Sequence, residues 1–461
     1  MQSIPAPKPA ARPATAAPVH EAEAFLAAHP DIEAFELLLV DPNGILRGKI
    51  IRRHEVLAVY RSGRHLPGSI LGLDVTGEDV PDTGLVWDDG DADRCAWPVA
   101  GSLVALPYAA RGQFIVALHE LDGRPVAADP RQVLQATVER LERRGFTPVA
   151  AFELEFYLLE ADGLNPAPLP MTGRQTSGIH VYSVTELVRL QPFAEELYRA
   201  AHALGLPVET LISEYAPGQF ELTLRHGGVV EAATHLIRLK HLIRSLAELR
   251  GMRACFMAKP FGDRAGSGMH CHVSLANDAG ENLFADVDGA LSPALLNGIG
   301  GLMQTLADSM LIFAPTHNSW FRFSAQSYAP TVANWGINNR GVAIRVPAGA
   351  AASRHLEQRM AGVDANPYLV ATVTLAGILH GIDHQCDPGT PASGDGSDGT
   401  RGPVPPQGWL QAMDRAQSSA FLHEALGPVM HRVFLALKRA EAARFATYIS
   451  PLDYQLYLDT I

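Results

Sequence analysis

Residues 152–159 read FELEFYLL, an alternation suited to a strand buried on one face only. At the two-residue period of a strand, Phe152, Leu154 and Phe156 share one side and Glu153 and Glu155 the other. Adjacent carboxylates repel each other unless positive charge lies between them. The pair is therefore either a solvated strand face or part of a cation site, and the rest of the chain decides which.

Three later segments add groups of the same chemistry. SEYAPGQFELTL sets Glu214 and Glu221 on either side of a Pro-Gly turn that can draw both carboxylates towards one point. KPFGDRAGSGMHCHVSL feeds a loop of small residues, including Gly266 and Gly268, into a strand from which His270 and His272 project on one face. This loop lacks the Lys-Ser/Thr ending of a phosphate-binding Walker sequence. HLEQRMAGVDANPYL sets Glu357 and Arg359 on one strand face, and Arg322, Arg340 and Arg345 precede it inside apolar segments. Arginines in such settings favour bidentate binding of carboxylate or phosphate. Five carboxylates with one imidazole form a hard, oxygen-rich set that suits Mg²⁺ or Mn²⁺ better than zinc. Such ions could also clamp the phosphates of a nucleotide.

The surrounding pattern is mixed. FELLLVDPNGILRGKII places an Asp-Pro-Asn-Gly turn between two apolar runs and predicts a β-hairpin within a small sheet domain. Asp129 as cap, Pro130 in the first turn and Gly145 as stop predict a helix between them. Amphipathic stretches at 193–204, 235–249 and 295–310 alternate with strand-like segments at 220–224, 270–275 and 342–346. The expected organisation is a disordered Pro/Ala-rich tail (1–20), an N-terminal domain (21–126) and an α+β catalytic domain (127–461), with an exposed polar loop at 387–406. Of the 461 residues, 37 are basic and 49 acidic; the net charge of −12 argues against nucleic-acid binding and permits a cationic ligand. Four cysteines without a close pair exclude a disulfide scaffold and a zinc ribbon, and point to a reducing cytoplasmic compartment. The best apolar run, 369–379, is too short and too interrupted to span a bilayer, so no membrane partner is expected.

Taken in order, DPNGILRGK, FELEF, EYAPGQFE, GSGMHCHVSL, NRGVAIRVP and LEQR…NPYL resemble the motifs of the glutamine synthetase superfamily. Within it, the chain resembles the γ-glutamyl–amine ligases, or γ-glutamylpolyamine synthetases, from about residue 31 onward. The resemblance implies a glutamine synthetase-like fold: an N-terminal β-grasp domain, and a catalytic domain whose curved antiparallel sheet forms a funnel. It implies that Glu155, Glu214 and Glu221 hold one divalent metal and Glu153, His270 and Glu357 another, with two or three Mg²⁺ or Mn²⁺ per site and ATP as co-substrate. Arg322 and Arg359 would hold glutamate, Arg340 would bridge substrate and transferred phosphate, and the backbone of Gly266 would meet glutamate. Arg345, His272 and Ser274 fall at nucleotide contacts. Active sites would lie between subunits of a homohexamer or homododecamer.

Three positions depart from the ammonia-using members. Tyr328 stands where those enzymes carry an acidic flap residue, and ungapped matching puts Leu66 where an aspartate completes their ammonium site. Together they imply an apolar wall suited to an alkylamine such as putrescine. Ala265 replaces an asparagine beside the glutamate. The expected reaction is ATP-dependent formation of a γ-glutamyl amide through γ-glutamyl phosphate. The alternatives are a different acceptor such as ethanolamine or a monoamine, ammonia itself, or a catalytically silent structural member. Deprotonation of the amine falls to Tyr328, Glu214 or an acid such as Asp74 or Asp93. Glu357 is expected to act as a ligand more than as core packing, so that its removal would spare the fold.

Overall fold

The computed structural model describes residues 10–324, 327–396 and 404–461. Its first sheet grows from the hairpin at the Asp-Pro-Asn-Gly turn. Strand β1 (Ala34–Val40) pairs antiparallel with β2 (Leu46–Arg52), and Gly44 adopts the left-handed conformation (φ 78°) that the turn requires. Strands β3 (Arg64–Pro67), β4 (Asp93–Pro98), β5 (Val104–Ala105) and β6 (Arg111–His119) complete six strands in the order β2-β1-β6-β4-β3, with β5 against β6. The helix Arg53–Ser62 buries Val56, Val59 and Tyr60 in the same core as Phe35, Leu37 and Phe114.

Residues 10–20 are not a free tail. The Ala11 N–H donates to Leu121 O (2.8 Å), the Arg12 guanidinium donates to the carbonyls of Tyr60 and Ala17, and a helix starts at Val19. Tyr60 and Leu121 are distant in sequence, so the Pro/Ala composition gave no hint of them; residues 1–9 of the expected tail lie outside the described residues.

The second sheet has nine strands, and β7 (Thr147–Glu160) is its spine. The preceding helix Pro130–Glu142 is capped by Asp129, whose carboxylate accepts from Arg131 N and Leu118 N. After β7 come β8 (Val208–Ser213), β9 (Gln219–Leu224), β10 (Gly227–Gly228), β11 (Met252–Cys255), β12 (Cys271–Ala276), β13 (Trp335–Ile337), β14 (Ile344–Val346) and β15 (Leu356–Gln358). The order is β13-β14-β15-β12-β7-β9-β8, with β10 and β11 also on β7. The pairings are antiparallel except β13 with β14, so the expected antiparallel sheet becomes mixed at that edge.

Phe152, Leu154 and Phe156 are fully buried in one core with Leu236 and Ile243 of the helix Val229–Leu249. Each such side chain contributes roughly 2 kcal/mol by leaving water. Glu153 and Glu155 are thereby forced to the opposite, concave side. The apolar run at 369–379 lies in the helix Pro367–His384, which is apolar all round because it is buried all round. No helix among the described residues is long and apolar enough to cross a membrane. The long helix Ala420–Thr447 packs Val433, Ala436 and Leu437 into the N-terminal core, so the two units share an element across the expected boundary at 127. In the polar loop, residues 397–403 lie outside the described residues. The part before them is bonded to the β13 region, through Ala392 N to Trp335 O and Asn334 Nδ2 to Gly396 O.

Candidate active site

Strand register assembles the charged groups. Glu155 faces Glu221 across β7 and β9, while His272 faces Glu357 across β12 and β15, and Arg345 faces Glu357 from β14. The loop before β12 stays bonded to β7, with Glu153 N donating to His270 O and Glu155 N to Gly268 O. Thus His270 lies beside both glutamates of the FELEF strand. Its Nδ1 is 2.8 Å from Glu153 Oε2 and 3.5 Å from Glu357 Oε1, and its Nε2 is 4.0 Å from Glu155 Oε1.

Gly268 is small for a physical reason. Its N–H donates to Glu155 Oε2 (2.8 Å), and a Cβ there would lie 3.1 Å from Arg322 Nη2 and 3.2 Å from His270 Nε2. Gln219, at the start of β9, supports this loop by donating to Gly266 O and Ser267 Oγ.

Among the described residues, two ligand-competent groups result: Glu153, Glu221 and His270, and Glu153, His272 and Glu357. These groups share Glu153, Glu221, His270 and Glu357 with the trios implied by the resemblance. Both imidazoles attract Glu153, Glu155 is held by Gly268 N–H, and Glu214 stands further along the cavity wall. His272, expected to contact nucleotide, has Nε2 3.0 Å from Glu153 Oε1 without the alignment of a hydrogen bond.

The electrostatics separate the carboxylates into two kinds. Burial would raise Glu153, but the hydrogen bond from His270 and the close approach of the His272 imidazole hold it well below the carboxylate range. Glu357 is fully buried, yet His270 and Arg359 bring it down to about 2; Arg345 and Arg359 both bond it. Glu221 is pushed up to about 10 by burial and by the charges of Glu153, Glu155 and Glu214. Glu214 is raised to about 7 by burial and by Glu155. Hydrated divalent cations suit this set, because oxygen donors predominate and the carboxylates around Glu221 repel one another.

Cavities open on either side. One, about 640 Å³, is lined by Glu153, Thr223, His272, Ser274, Asn282 and His355, with the His272 and His355 rings 5.3 Å apart. The other, about 710 Å³, is lined by Glu155, Glu214, Gly266, Arg322, Tyr328 and Arg359, and also by Tyr215 and Ala265. A larger cavity, about 1030 Å³, lies between the N-terminal hairpin and the helix Val229–Leu249, away from the carboxylates.

Several expected residues sit elsewhere. Leu66 is fully buried in the N-terminal core and offers no wall to a substrate, because its position in β3 faces inward. Asp74 is held by Thr76, Glu78 and Arg444, and Asp93 pairs in register with Pro67; neither lines the acid-side cavity. Arg340 is exposed and lines neither cavity flanking the carboxylates. Arg322 spends both Nη groups on the carbonyls of Met360 and Arg359, so it also positions the Arg359 backbone. Tyr215, Gln219 and His355 are wall or support residues that the sequence motifs did not single out.

The family described as glutamine synthetase, catalytic domain, matches residues 127–457. The chain is 37% identical to the γ-glutamylputrescine synthetase PuuA of Escherichia coli (strain K12) over 95% of its own length and 94% of that protein. It is 31% identical to a glutamate–isopropylamine ligase of a Pseudomonas species, covering 80% of this chain and 82% of that one. Among solved structures, a GmaS/ADP complex aligns with a TM-score of 0.83 at 27% identity, over 95% of this chain and 99% of that chain. With a family match across most of its length and a shared fold, the chain belongs to the glutamine synthetase family.

Proposed function

We propose that this protein is an ATP-dependent ligase that joins the γ-carboxylate of glutamate to a primary alkylamine or polyamine, such as putrescine. The observation that carries the reading is the carboxylate–imidazole cage between two cavities, one of which has Tyr328 on its wall in place of an acid. Relatives named for putrescine and isopropylamine support the choice of acceptor.

In this reading Glu155, Glu214 and Glu221 serve one divalent ion and Glu153, His270 and Glu357 another, with Mg²⁺ or Mn²⁺ as the ions. Bound there, they would neutralise the phosphates and the carboxylate as the two anions are brought together. His272, Ser274 and Arg345 serve the nucleotide side. Arg322, Arg359 and the Gly266 backbone hold glutamate, and Arg340 approaches the transferred phosphate once substrates are bound.

A carboxylate cannot lose oxide, so the γ-phosphoryl of ATP first passes to the glutamate γ-oxygen and ADP leaves. The amine nitrogen then attacks the acyl carbon of γ-glutamyl phosphate, and phosphate departs. An alkylammonium ion, with a pKa near 10, must first give up a proton. Glu214 is the acceptor best suited by position, on the wall of the same cavity as Tyr328.

Active sites between subunits of a hexamer or dodecamer are part of the same proposal. Exposed apolar side chains near the C-terminal end, among them Tyr448, Ile449, Leu452 and Leu458, support association. The four cysteines are free, which fits a cytoplasmic setting. The test is ADP release with glutamate, ATP and Mg²⁺ across acceptors that include ammonia. Faster turnover with an alkylamine than with ammonia supports the reading, and the reverse order overturns it.

A further inference from the structure

Two phenols face each other at the acid-side cavity. The rings of Tyr215 and Tyr328 are 5.6 Å apart and inclined at 42°, and their hydroxyls are 3.3 Å apart. Both rings are exposed, at 37% and 57%. Neither belongs to a hydrophobic core of the protein, so packing does not account for them. Exposed aromatic surface at the wall of a cavity with convergent polar groups is the signature of a ligand contact.

Tyr215 is also tied to the chemistry. It directly follows Glu214, and its own backbone N–H donates to Glu214 Oε2 (3.3 Å). Tyr215 is thus the immediate neighbour of the carboxylate that the ligase reading assigns to the proton of the incoming amine. Ile179, Pro217 and Ala329 add apolar surface to the same cavity. An aromatic face attracts an alkylammonium group and buries the methylenes attached to it. Ammonium has no methylenes to bury.

We infer that Tyr215 is a specificity-determining residue that, together with Tyr328, clamps the carbon chain of the acceptor amine and so selects alkylamines over ammonia. The inference rests on the ligase reading above. The ring faces do the selecting. The hydroxyl–hydroxyl contact only holds the two rings together, and an entering chain replaces it with apolar contact.

The test uses the full-length enzyme with glutamate, ATP and Mg²⁺, and compares kcat/KM for methylamine, butylamine and putrescine in wild type, Tyr215→Ala and Tyr215→Phe. Tyr215→Ala is expected to lower the ratio of butylamine to methylamine kcat/KM by about tenfold, the loss of one desolvated aromatic contact of about 1.4 kcal/mol. The amine KM should move more than the glutamate KM. Tyr215→Phe should keep most of the ratio, because it keeps the ring. An equal loss across all three amines, an unchanged ratio in Tyr215→Ala, or an equal loss of the ratio in Tyr215→Phe would each overturn the clamp while the ligase reading stands. A wild-type enzyme that makes no amide from any amine would overturn the ligase reading and the clamp with it.

Discussion

Glu155 and Glu221 sit directly opposite one another on neighbouring strands, both turned to the concave side of the sheet. Directly opposed like charges weaken a sheet. Here the arrangement also leaves Glu221 buried among Glu153, Glu155 and Glu214, which pushes its carboxyl up to about 10. A fold that keeps such a pair is prepared to receive positive charge.

Glu221→Gln is therefore expected to stabilise the metal-free protein and to abolish catalysis. An acid whose pKa is higher folded than unfolded holds its proton more tightly when folded. Stability then falls as pH rises from the unfolded value of 4.5 towards 10. Melting in EDTA should show this decline in wild type and a flatter curve, several degrees higher at pH 8, in Glu221→Gln. Adding Mg²⁺ should raise the wild-type melting point by more than that of the variant, which keeps the ligands of the other ion only.

Glu357→Ala should act with the opposite sign. Glu357 is fully buried and bonded by both Arg345 and Arg359, so its removal strands two cations. Breaking a buried pair from one side costs about 3–5 kcal/mol. This corrects the expectation from sequence that the change would spare the fold. A drop in the urea midpoint beside Glu357→Gln, which keeps the shape and a hydrogen-bonding oxygen, is the check. Equal midpoints for the two variants would contradict it.

Tyr328→Glu places a second carboxylate on the wall of the cavity that Glu214 lines. Ammonia-dependent turnover should rise relative to alkylamine turnover, by about tenfold in the ratio of kcat/KM values, since one charge contact is worth about 1.4 kcal/mol. ADP release with each acceptor reads the change, and an unaltered ratio would set aside Tyr328 as the determinant.

Lys240 gives a pH signature remote from the carboxylates. It is buried, donates to Val363 O (2.7 Å) and lies over the Phe256 ring; burial brings its ammonium down to about 7. Between that value and the unfolded 10.5, the unfolded chain holds more protons. Stability from this group therefore rises with pH, by at most about 1.4 kcal/mol per unit. Lys240→Met should remove that rise between pH 7 and 10 in denaturant unfolding. An identical slope in both proteins would contradict the assignment.

What the sequence made legible was local. The hairpin turn, the Asp129 cap and the alternation of FELEF each follow from a few neighbouring residues, and each is found where expected. Leu66 was misread because ungapped matching says nothing about which face of β3 a residue occupies. The hold on residues 10–20 depends on Arg12 meeting a carbonyl 48 residues away, and the Tyr215–Tyr328 pair spans 113 residues, so neither leaves a periodic trace. That both imidazoles reach Glu153 is a matter of side-chain geometry beyond any spacing rule.

The most direct measurement follows one oxygen atom. Glutamate labelled with oxygen-18 in its γ-carboxylate is incubated with the enzyme, ATP, Mg²⁺ and butylamine, and the released phosphate and the amide are analysed by mass spectrometry. If ATP activates the acid as γ-glutamyl phosphate, each amide formed is matched by one labelled oxygen in phosphate. Amide formed alongside unlabelled phosphate would contradict that route, and labelled glutamate recovered intact with no amide would contradict the ligase itself.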